Sequence, residues 1–428
     1  MPRILIQNGR LIDPSQSLDR VASLLLEDGR IVAYDAIPSG GEQLLDASGK
    51  IVAPGLIDMH VHLREPGREE DETVQTGATA AVAGGFTSIA CCPNTEPPVD
   101  SSETIQFILG QAARADQCRV FVMGCVSKHR QGKELAEIDR LSAAGAVAFS
   151  DDGAPVYDAE LMRRALECCR RHNKSVLNHA EVPDLARGGV MHEGEVSKAL
   201  GLPGIPAAAE DLMTARDIAL AEATGGRLHM MHVSTAGSVN AVRQAKRRGL
   251  HVTAECAPHH FTLTDECLRS LDANYKMNPP LRSREHVEAC IAGLIDGTID
   301  AIASDHAPHA REKKLRGMVQ APFGIIGLET TLGLVVTQLI EPGHLDWPAA
   351  LARLTINPAR ILGIPKGTLA LGADADVTII NPDVRWTVDP AQLHSKSSNT
   401  PFAGWELRGR ADTVLVGGKV KFSRSWPS

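Results

Sequence analysis

The stretch Asp58-Met59-His60-Val61-His62-Leu63-Arg64 follows a short apolar run, residues 51–57, that Pro54-Gly55 interrupts. Side chains alternate with a period of two along a strand, so His60 and His62 project from the same face. Two imidazoles on one face at the end of a strand can share a metal ion. Arg64 follows two residues later and can bind an anion beside that ion. The stretch therefore predicts a metal site at the end of a buried strand, next to a place for an anionic group.

Length and composition indicate a soluble globular protein. The 428 residues are 43% hydrophobic and 22% charged, which suits one large domain and a smaller one. The net charge is −8 and no basic stripe is evident, which argues against nucleic acid as a partner. We find no signal-peptide pattern and no run near the roughly 18 apolar residues of a membrane span. The nine cysteines form no CxxC pattern, so we expect reduced thiols in a cytoplasmic protein.

Between residues 54 and 366, short apolar runs alternate with segments of helical pattern. The eight predicted strands lie at residues 51–57, 85–90, 119–123, 146–149, 175–177, 227–231, 251–255 and 300–303, with helical candidates such as 103–114, 158–172, 209–223, 238–248 and 284–295 between them. Eight strand–helix units in about 300 residues predict an α/β fold, a (β/α)8 TIM-type barrel. The alternative is an open doubly wound sheet, which usually carries a glycine-rich phosphate loop after its first strand. This sequence has no such loop there.

Both ends of the chain are rich in strand signals. The N-terminal part predicts a strand with an Asn8-Gly9 turn, followed by a hairpin around Asp28-Gly29. The C-terminal part predicts a strand at 375–380 and a hairpin at 413–422. Each part is too short to bury a core alone. We therefore expect one small β-sandwich domain built from both termini, residues 1–53 plus 367–428, beside the barrel at 54–366. Two unrelated terminal additions are the alternative.

Residues that can bind metal gather at the predicted C-terminal ends of the barrel strands, where barrel active sites lie. They are His60 and His62 after the first strand, Asp151 or Asp152 after the fourth, His179 after the fifth, His232 after the sixth and Asp305 after the eighth. Imidazole and carboxylate ligands suit zinc and similar divalent ions. Six ligands exceed the needs of one open catalytic site, so the set predicts two ions that share a bridging carboxylate.

Each of these residues, taken alone, also fits an ordinary structural role. An isolated His-x-His is often a surface pair, a lone histidine is often buried and satisfied, and Asp-Asp-Gly is typical of a turn. The metal hypothesis depends on their shared position at strand ends. His229 lies three residues before His232 and is expected to face away from it. The histidines expected at the surface are His129, His172, His192, His286 and His344, whereas His259 and His260 are expected to support the site without binding metal.

Four segments give the chain a specific resemblance to a known family. Residues 55–67 and 303–309 resemble the two signatures of the class I dihydroorotases, which belong to the amidohydrolase superfamily. Residues 275–282 and 321–324 resemble further segments of the same family, and the similarity covers essentially the whole chain. Related hydantoinases and allantoinases bridge their metals with a carboxylated lysine on the fourth strand. Here residues 149–153 contain no lysine, which agrees with class I.

The resemblance implies a role for each site residue. It implies two divalent ions, Zn²⁺, with Asp305 also acting as the catalytic general acid and base. The ligands would be His60, His62 and Asp305 for one ion, His179 and His232 for the other, and Asp152 bridging both. Arg64, Asn94 and His309 would hold the carboxylate of the substrate, and Asn278 with the backbone of Phe323 and Gly324 would meet the ring amide groups.

The activity implied by the resemblance is the reversible hydrolysis of (S)-dihydroorotate to N-carbamoyl-L-aspartate in de novo pyrimidine (UMP) biosynthesis, by metal-activated hydroxide. Two alternatives stay open: another cyclic-amide hydrolase (a dihydropyrimidinase, hydantoinase or allantoinase), or a non-catalytic dihydroorotase-like partner of aspartate carbamoyltransferase. Arg64 and Asn94 argue against the first, and six retained ligands argue against the second. The expected partners are the small-molecule substrate, further copies of the chain in a homo-oligomer, and aspartate carbamoyltransferase. The segment 311–322 is expected to form a loop over the barrel mouth.

Overall fold

A parallel barrel forms the centre of the computed structural model, which describes residues 3–425. Its eight strands are Leu56–Val61, Phe86–Cys91, Arg119–Gly124, Ala146–Phe149, Ser175–Asn178, Arg227–Met230, Val252–Cys256 and Ala301–Ile302, each paired with the next in chain order. After the eighth strand, His306 forms a parallel bridge with Val61, and the His62 N–H donates to the His306 carbonyl at 2.8 Å. These bonds join the eighth segment to the first strand, so the predicted barrel is confirmed.

Helices connect the barrel strands and cover their outer faces. The longer ones are Val74–Gly84, Ser102–Ala115, Ile138–Ala144, Ala159–Arg171, Ala208–Thr224, Ala236–Arg247, Arg284–Ile295, Trp347–Leu354 and Ile356–Leu362. The shorter helical turns are Pro14–Gln16, Lys128–Arg130, Pro183–Ala186, Glu195–Leu200, Pro258–Thr262, Asp265–Ser270, Ala273–Tyr275, Arg311–Lys314, Gly317–Gln320, Thr331–Val335, Val336–Ile340 and Pro390–Gln392. Within the described range, no helix is both long and apolar enough to cross a membrane.

A second, mostly antiparallel sheet combines strands from both ends of the chain. Its members are Ile4–Asp13, Leu18–Glu27, Arg30–Tyr34, Gln43–Asp46, Ile51–Pro54, Val377–Thr387, Glu406–Val416 and Lys419–Ser423. A separate two-stranded sheet pairs Met191–His192 with Gly204–Ile205. Ile51–Pro54 connects the two termini, because it pairs with both Ile4–Asp13 and Val377–Thr387. The expected sheet built from both termini is therefore present. The domain boundaries at 53/54 and 366/367 stay predictions.

The apolar run 51–57, expected as one strand, is divided between the two sheets at Gly55. Ile51–Pro54 belongs to the terminal sheet, and Leu56–Val61 begins the barrel. At Gly55 the backbone lies against Thr87, and a Cβ there would come within 2.0 Å of the Thr87 hydroxyl oxygen. Glycine therefore lets the chain pass closely from one sheet into the other.

One of the two predicted N-terminal turns is correct. Asp28 and Gly29 join Leu18–Glu27 to Arg30–Tyr34 with positive φ angles of 48° and 75°, as a two-residue hairpin turn requires. The Asn8-Gly9 turn is wrong, because Ile4–Asp13 is one continuous strand. Its pairing register shifts between Ile6 and Gly9, and Asn8 has a φ of 63°. The Asn-Gly pair thus forms a β-bulge instead of a turn.

Apolar packing between the barrel strands and their covering helices stabilises the fold. Phe86 begins the second barrel strand and is fully buried in this core. All nine cysteines are free thiols and most are buried, as expected from the sequence.

Phe86→Ala is expected to lower the free energy of unfolding by about 3–5 kcal/mol, because it removes buried area and leaves a cavity. Urea denaturation followed by circular dichroism measures the change. Phe107→Ala is the matched control, since Phe107 is 39% exposed on Ser102–Ala115, and a loss under about 1 kcal/mol is expected there. Equal losses in the two variants would contradict the core position of Phe86.

Candidate metal centre and active site

The six predicted ligands converge at the C-terminal mouth of the barrel. His60 lies in the first strand and His62 directly follows it, and the others lie within three residues after the ends of later strands. All six side chains are buried: His60, His62, Asp152, His179, His232 and Asp305. The structure therefore brings together every predicted ligand, although the assignment of each to a metal ion stays a prediction.

One group of ligand atoms forms around the first histidine pair. His60 Nε2 lies 3.3 Å from Asp152 Oδ2 and 3.4 Å from Asp305 Oδ1. His62 Nε2 lies 3.1 Å from Asp305 Oδ1 and 3.4 Å from Asp152 Oδ2. Ligand atoms that surround one zinc ion at about 2.0–2.2 Å are spaced from each other by about these distances. The group fits one divalent ion.

A second group forms on the other side of Asp152. His179 Nδ1 faces His232 Nε2 at 2.9 Å, and Asp152 Oδ1 lies 3.4 Å from His232 Nε2 and 3.6 Å from His179 Nδ1. The two oxygens of Asp152 thus point toward different histidine pairs. Such an arrangement suits a carboxylate shared between two cations, and the donor set fits two divalent ions.

Electrostatics keep both carboxylates ionised. Burial alone would raise the pKa values of Asp152 and Asp305, but the surrounding imidazoles, His60 first, hold both pKa values well below the usual range of a carboxyl group. Ionised carboxylates are the form that binds metal.

Asp151, the other sequence candidate, has a different environment. Its carboxylate accepts hydrogen bonds from the backbone N–H groups of Val126 at 2.9 Å and Ser127 at 3.1 Å, and from the Ser127 hydroxyl. These bonds fasten the end of the fourth strand to the preceding loop. Only Asp152 of the pair faces the histidines.

Cys92 is a potential ligand that the sequence did not indicate. Its thiol belongs to a compact group with the ligand atoms of His60, His62 and Asp152, all within 4.8 Å of one another. Cys92 follows the second strand, Phe86–Cys91, and its side chain is buried inside the barrel. Its neighbour Cys91 packs in the separate core beneath the helices.

Glu255 supports His60, the first predicted metal ligand, from within the barrel. Its Oε1 lies 2.6 Å from His60 Nδ1, and its Oε2 lies 3.2 Å from His229 Nε2. His229 Nδ1 in turn lies 2.8 Å from the Thr253 hydroxyl. A carboxylate behind a metal-binding histidine fixes its tautomer and leaves Nε2 free to bind metal.

His229 therefore does not face away from the site, and that prediction is wrong. The strand Arg227–Met230 ends before His232, whose φ is 31°, so the period of two does not extend to it. Two expected surface histidines, His192 and His286, are also buried, near Arg282. His129 and His344 are exposed, as predicted, and His172 is partly exposed.

Glu255→Gln is expected to weaken metal binding by about 10- to 100-fold, because the amide is a poorer partner for His60 Nδ1 than a carboxylate is. Competition with a chromogenic chelator measures the affinity. Glu288→Gln, an exposed change on Arg284–Ile295, is the control and is expected to keep the wild-type affinity. Unchanged affinity in Glu255→Gln would show that the contact with His60 does not tune the site.

A cavity of about 190 Å³ opens beside the predicted metal ligands. All six residues predicted to bind substrate line it: Arg64, Asn94, Asn278, His309, Phe323 and Gly324. Arg68, which the sequence did not single out, also lines it.

The segment above the mouth contains two short helices, Arg311–Lys314 and Gly317–Gln320, and is not a simple loop. Lys314 Nζ donates to the carbonyls of Lys276, Pro322 and Gly324 and holds this segment in place.

The cavity has a positively charged wall. Arg64 is buried with a positive φ of 61°, and its Nε donates to the Pro308 carbonyl at 3.2 Å. Burial lowers the pKa of Arg64 to about 10, so the guanidinium stays protonated at neutral pH. Asn94 Oδ1 lies 2.8 Å from His62 Nδ1, so this amide also orients a predicted metal ligand. An anionic group bound in this cavity would therefore lie next to the positive charge of Arg64, beside the predicted metal centre.

Comparison with known proteins places the chain in a family. A sequence profile of the amidohydrolase family matches residues 51–421. Proteins named dihydroorotase from Pelotomaculum thermopropionicum and Syntrophus aciditrophicus are 53% and 50% identical; each match covers 98% of this chain, and 98% and 99% of the relative. The solved L-hydantoinase (dihydropyrimidinase) of Arthrobacter aurescens is 26% identical, with a TM-score of 0.89 over 98% of this chain and 96% of that one. Since the profile spans most of the sequence and the relatives match over their full length, this chain belongs to the dihydroorotases of the amidohydrolase family.

Proposed function

We propose that the protein is a dihydroorotase that interconverts (S)-dihydroorotate and N-carbamoyl-L-aspartate in de novo pyrimidine (UMP) biosynthesis. The observation that carries the proposal is the position of Arg64, a buried cation beside His309 in a cavity that five of the six candidate metal ligands also line. A cyclic amide that bears a carboxylate fits this cavity, because its amide can lie beside the predicted metal ligands and its carboxylate beside Arg64. The dihydroorotase relatives support the same substrate.

In this proposal the metal centre holds two divalent ions, with Zn²⁺ as the assigned metal. His60, His62 and Asp305 would hold one ion, His179 and His232 the other, and Asp152 both. When bound, the ions would lower the pKa of an attacking water molecule and polarise the ring carbonyl.

Asp305 carries the proton in this reaction. Its carboxylate faces the histidines on one side and lines the substrate cavity on the other. It accepts the proton of the attacking water and gives it to the ring nitrogen as the amide bond breaks. Because its neighbours keep it ionised, it begins the hydrolytic direction as a base.

The cavity wall selects and orients the substrate. The planar guanidinium of Arg64, with Asn94 and His309, binds the carboxylate of dihydroorotate. Asn278 and the backbone of Phe323 and Gly324 meet the ring amide groups. Binding on two sides holds the scissile amide against the metal centre.

Turnover of different rings tests the proposal. The purified enzyme with zinc is expected to hydrolyse dihydroorotate and to leave dihydrouracil and hydantoin essentially unchanged, since these neutral rings have no carboxylate for Arg64. Turnover of only the neutral rings would favour the dihydropyrimidinase alternative. Absence of bound metal together with absence of all turnover would favour the non-catalytic partner of aspartate carbamoyltransferase.

We also propose that the enzyme is a cytoplasmic homo-oligomer that can form a complex with aspartate carbamoyltransferase. The relatives named dihydroorotase support the enzymatic role from which this proposal starts. Light scattering of the protein alone and mixed with aspartate carbamoyltransferase measures both associations. A monomer that does not change mass in the mixture would contradict them.

A further inference from the structure

Arg68 places a second guanidinium on the wall of the cavity, beyond the residues assigned to the substrate. Its side chain is 25% exposed and packs between His309 and Asp71. Arg68 Nη2 lies 3.3 Å from His309 Nδ1, and Nε and Nη2 donate to Asp71 Oδ2 at 3.1 and 2.7 Å. Arg68 thus contacts a proposed substrate-binding side chain without being one of the metal ligands.

These contacts determine where the proton of His309 lies. A guanidinium can only donate hydrogen bonds, so His309 Nδ1 must accept from Arg68. His309 Nε2 lies 2.7 Å from the Phe323 carbonyl, which can only accept, so Nε2 must carry the proton. The imidazole is therefore neutral, with its single N–H donated to the Phe323 carbonyl.

Arg64 strengthens this assignment. Its Nη2 lies 3.5 Å from His309 Nε2, and both nitrogens then carry hydrogen. Two donors cannot bond to each other, and the His309 Nε2–H is already bonded to Phe323, so the Arg64 Nη2 hydrogens stay available to an acceptor in the cavity. A carboxylate oxygen of the substrate is such an acceptor.

Without Arg68, the carboxylate of Asp71 would favour protonation of the His309 imidazole. Its Oδ2 lies 4.0 Å from His309 Nδ1, and the carboxylate is buried. A carboxylate next to Nδ1 favours a second proton on the imidazole. Asp71 has other partners, Lys313 Nζ at 2.8 Å and the Ala310 N–H at 2.7 Å, so it stays in place without Arg68.

We propose that Arg68 is a positioning residue that keeps His309 neutral, with its Nε2–H donated to the Phe323 carbonyl, so that the Arg64 guanidinium stays free for the substrate carboxylate. The charged groups that face His309 are Arg64, Arg68, Asp71 and Lys314. Burial and the Arg64 charge also favour the neutral imidazole, because they lower the pKa of His309 to about 2. This inference rests on the proposed function, because it takes the carboxylate of dihydroorotate as the ligand. Its consequence is a pocket whose charge does not change across neutral pH.

The test compares wild type with Arg68→Met, which removes the donor but keeps much of the side-chain length. In the variant the Arg68 donor is gone and Nδ1 faces Asp71, so the pKa of His309 is expected to rise toward the usual value of histidine, about 6.5. We expect KM for dihydroorotate to rise about tenfold at high pH and to fall again toward about pH 6, while kcat changes less than twofold. The KM of the wild-type enzyme is expected to show no such dependence on pH. A similar pH profile of KM in both proteins would overturn the proposal.

Two control variants separate this role from general loop stability. Arg68→Lys keeps one donor and is expected to restore most of the wild-type pH profile. Lys313→Met removes the other charged partner of Asp71 without contacting His309, and its KM profile is expected to match wild type. If Lys313→Met shows the same new ionisation as Arg68→Met, loss of a charged partner of Asp71 causes the effect, and not loss of the Arg68 contact with His309.

A measurement without substrate distinguishes failure of this inference from failure of the proposed function. In ¹⁵N-histidine-labelled enzyme, signals lost in His309→Gln identify His309. The wild-type ring is expected to show the neutral Nε2–H pattern from about pH 6 to about pH 9, and Arg68→Met is expected to show a titrating imidazolium. A wild-type ring that is cationic or protonated at Nδ1 would overturn the inference even if dihydroorotate is turned over.

Discussion

Asp305→Asn is expected to lower kcat for dihydroorotate by about 10²- to 10⁴-fold, the contribution typical of a general acid or base. The amide keeps the size of the side chain but cannot take the proton of the attacking water. Asp305 Oδ1 also lies 3.1 Å from His62 Nε2, so weaker metal binding is expected as well. Turnover is therefore measured at saturating zinc, with metal content determined on the same sample by elemental analysis.

The control for Asp305→Asn is Asp296→Asn, an acid that follows Arg284–Ile295 far from the mouth and is expected to keep wild-type kcat. Near-normal kcat with a full metal complement would refute the proton-carrying role and leave Asp305 as a ligand only.

Much of the barrel could be predicted because its strands are short apolar runs that end in polar residues. Seven of these runs fall within one or two residues of observed strands, as for Arg119–Gly124 and Ala146–Phe149. The exception is the run at 51–57, which Gly55 divides between two sheets. Its division depends on contact with Thr87, over thirty residues away in the sequence, and local pattern does not reveal that contact. The Asn8-Gly9 bulge was missed for a similar reason: Asn-Gly favours positive φ in turns and bulges alike.

The convergence of the six candidate ligands could be predicted because barrel topology brings strand ends together whatever the loop conformations are. The residues behind and beside them could not. Glu255 meets His60 from a strand nearly two hundred residues later, and only the closed barrel shows the 2.6 Å contact. Arg68 likewise meets His309 across the mouth. His192 and His286 were expected at the surface because their local sequence is polar, yet Arg282 and the elements around it bury them.

Arg64→Met is expected to lower kcat/KM for dihydroorotate by about 10²- to 10³-fold, mainly through KM. The physical reason is the loss of a buried guanidinium, whose paired hydrogen bonds to a carboxylate contribute more than neutral ones do. Arg64 has no carboxylate partner in the described contacts of its side chain, which are the Pro308 carbonyl and His309. Its charge is therefore available to the ligand and is not used within the fold.

Neutral rings provide the internal control for Arg64→Met, because they have no carboxylate to lose. Any slow hydrolysis of dihydrouracil is expected to be unchanged or faster in the variant, so the preference for dihydroorotate should fall by about the same 10²- to 10³-fold. Arg187→Met, at an exposed arginine, is expected to change neither substrate. An equal loss for charged and neutral rings would mean that Arg64 shapes the mouth without binding the carboxylate. The metal centre would then remain that of a cyclic amidohydrolase, but its substrate would have to be sought among uncharged rings.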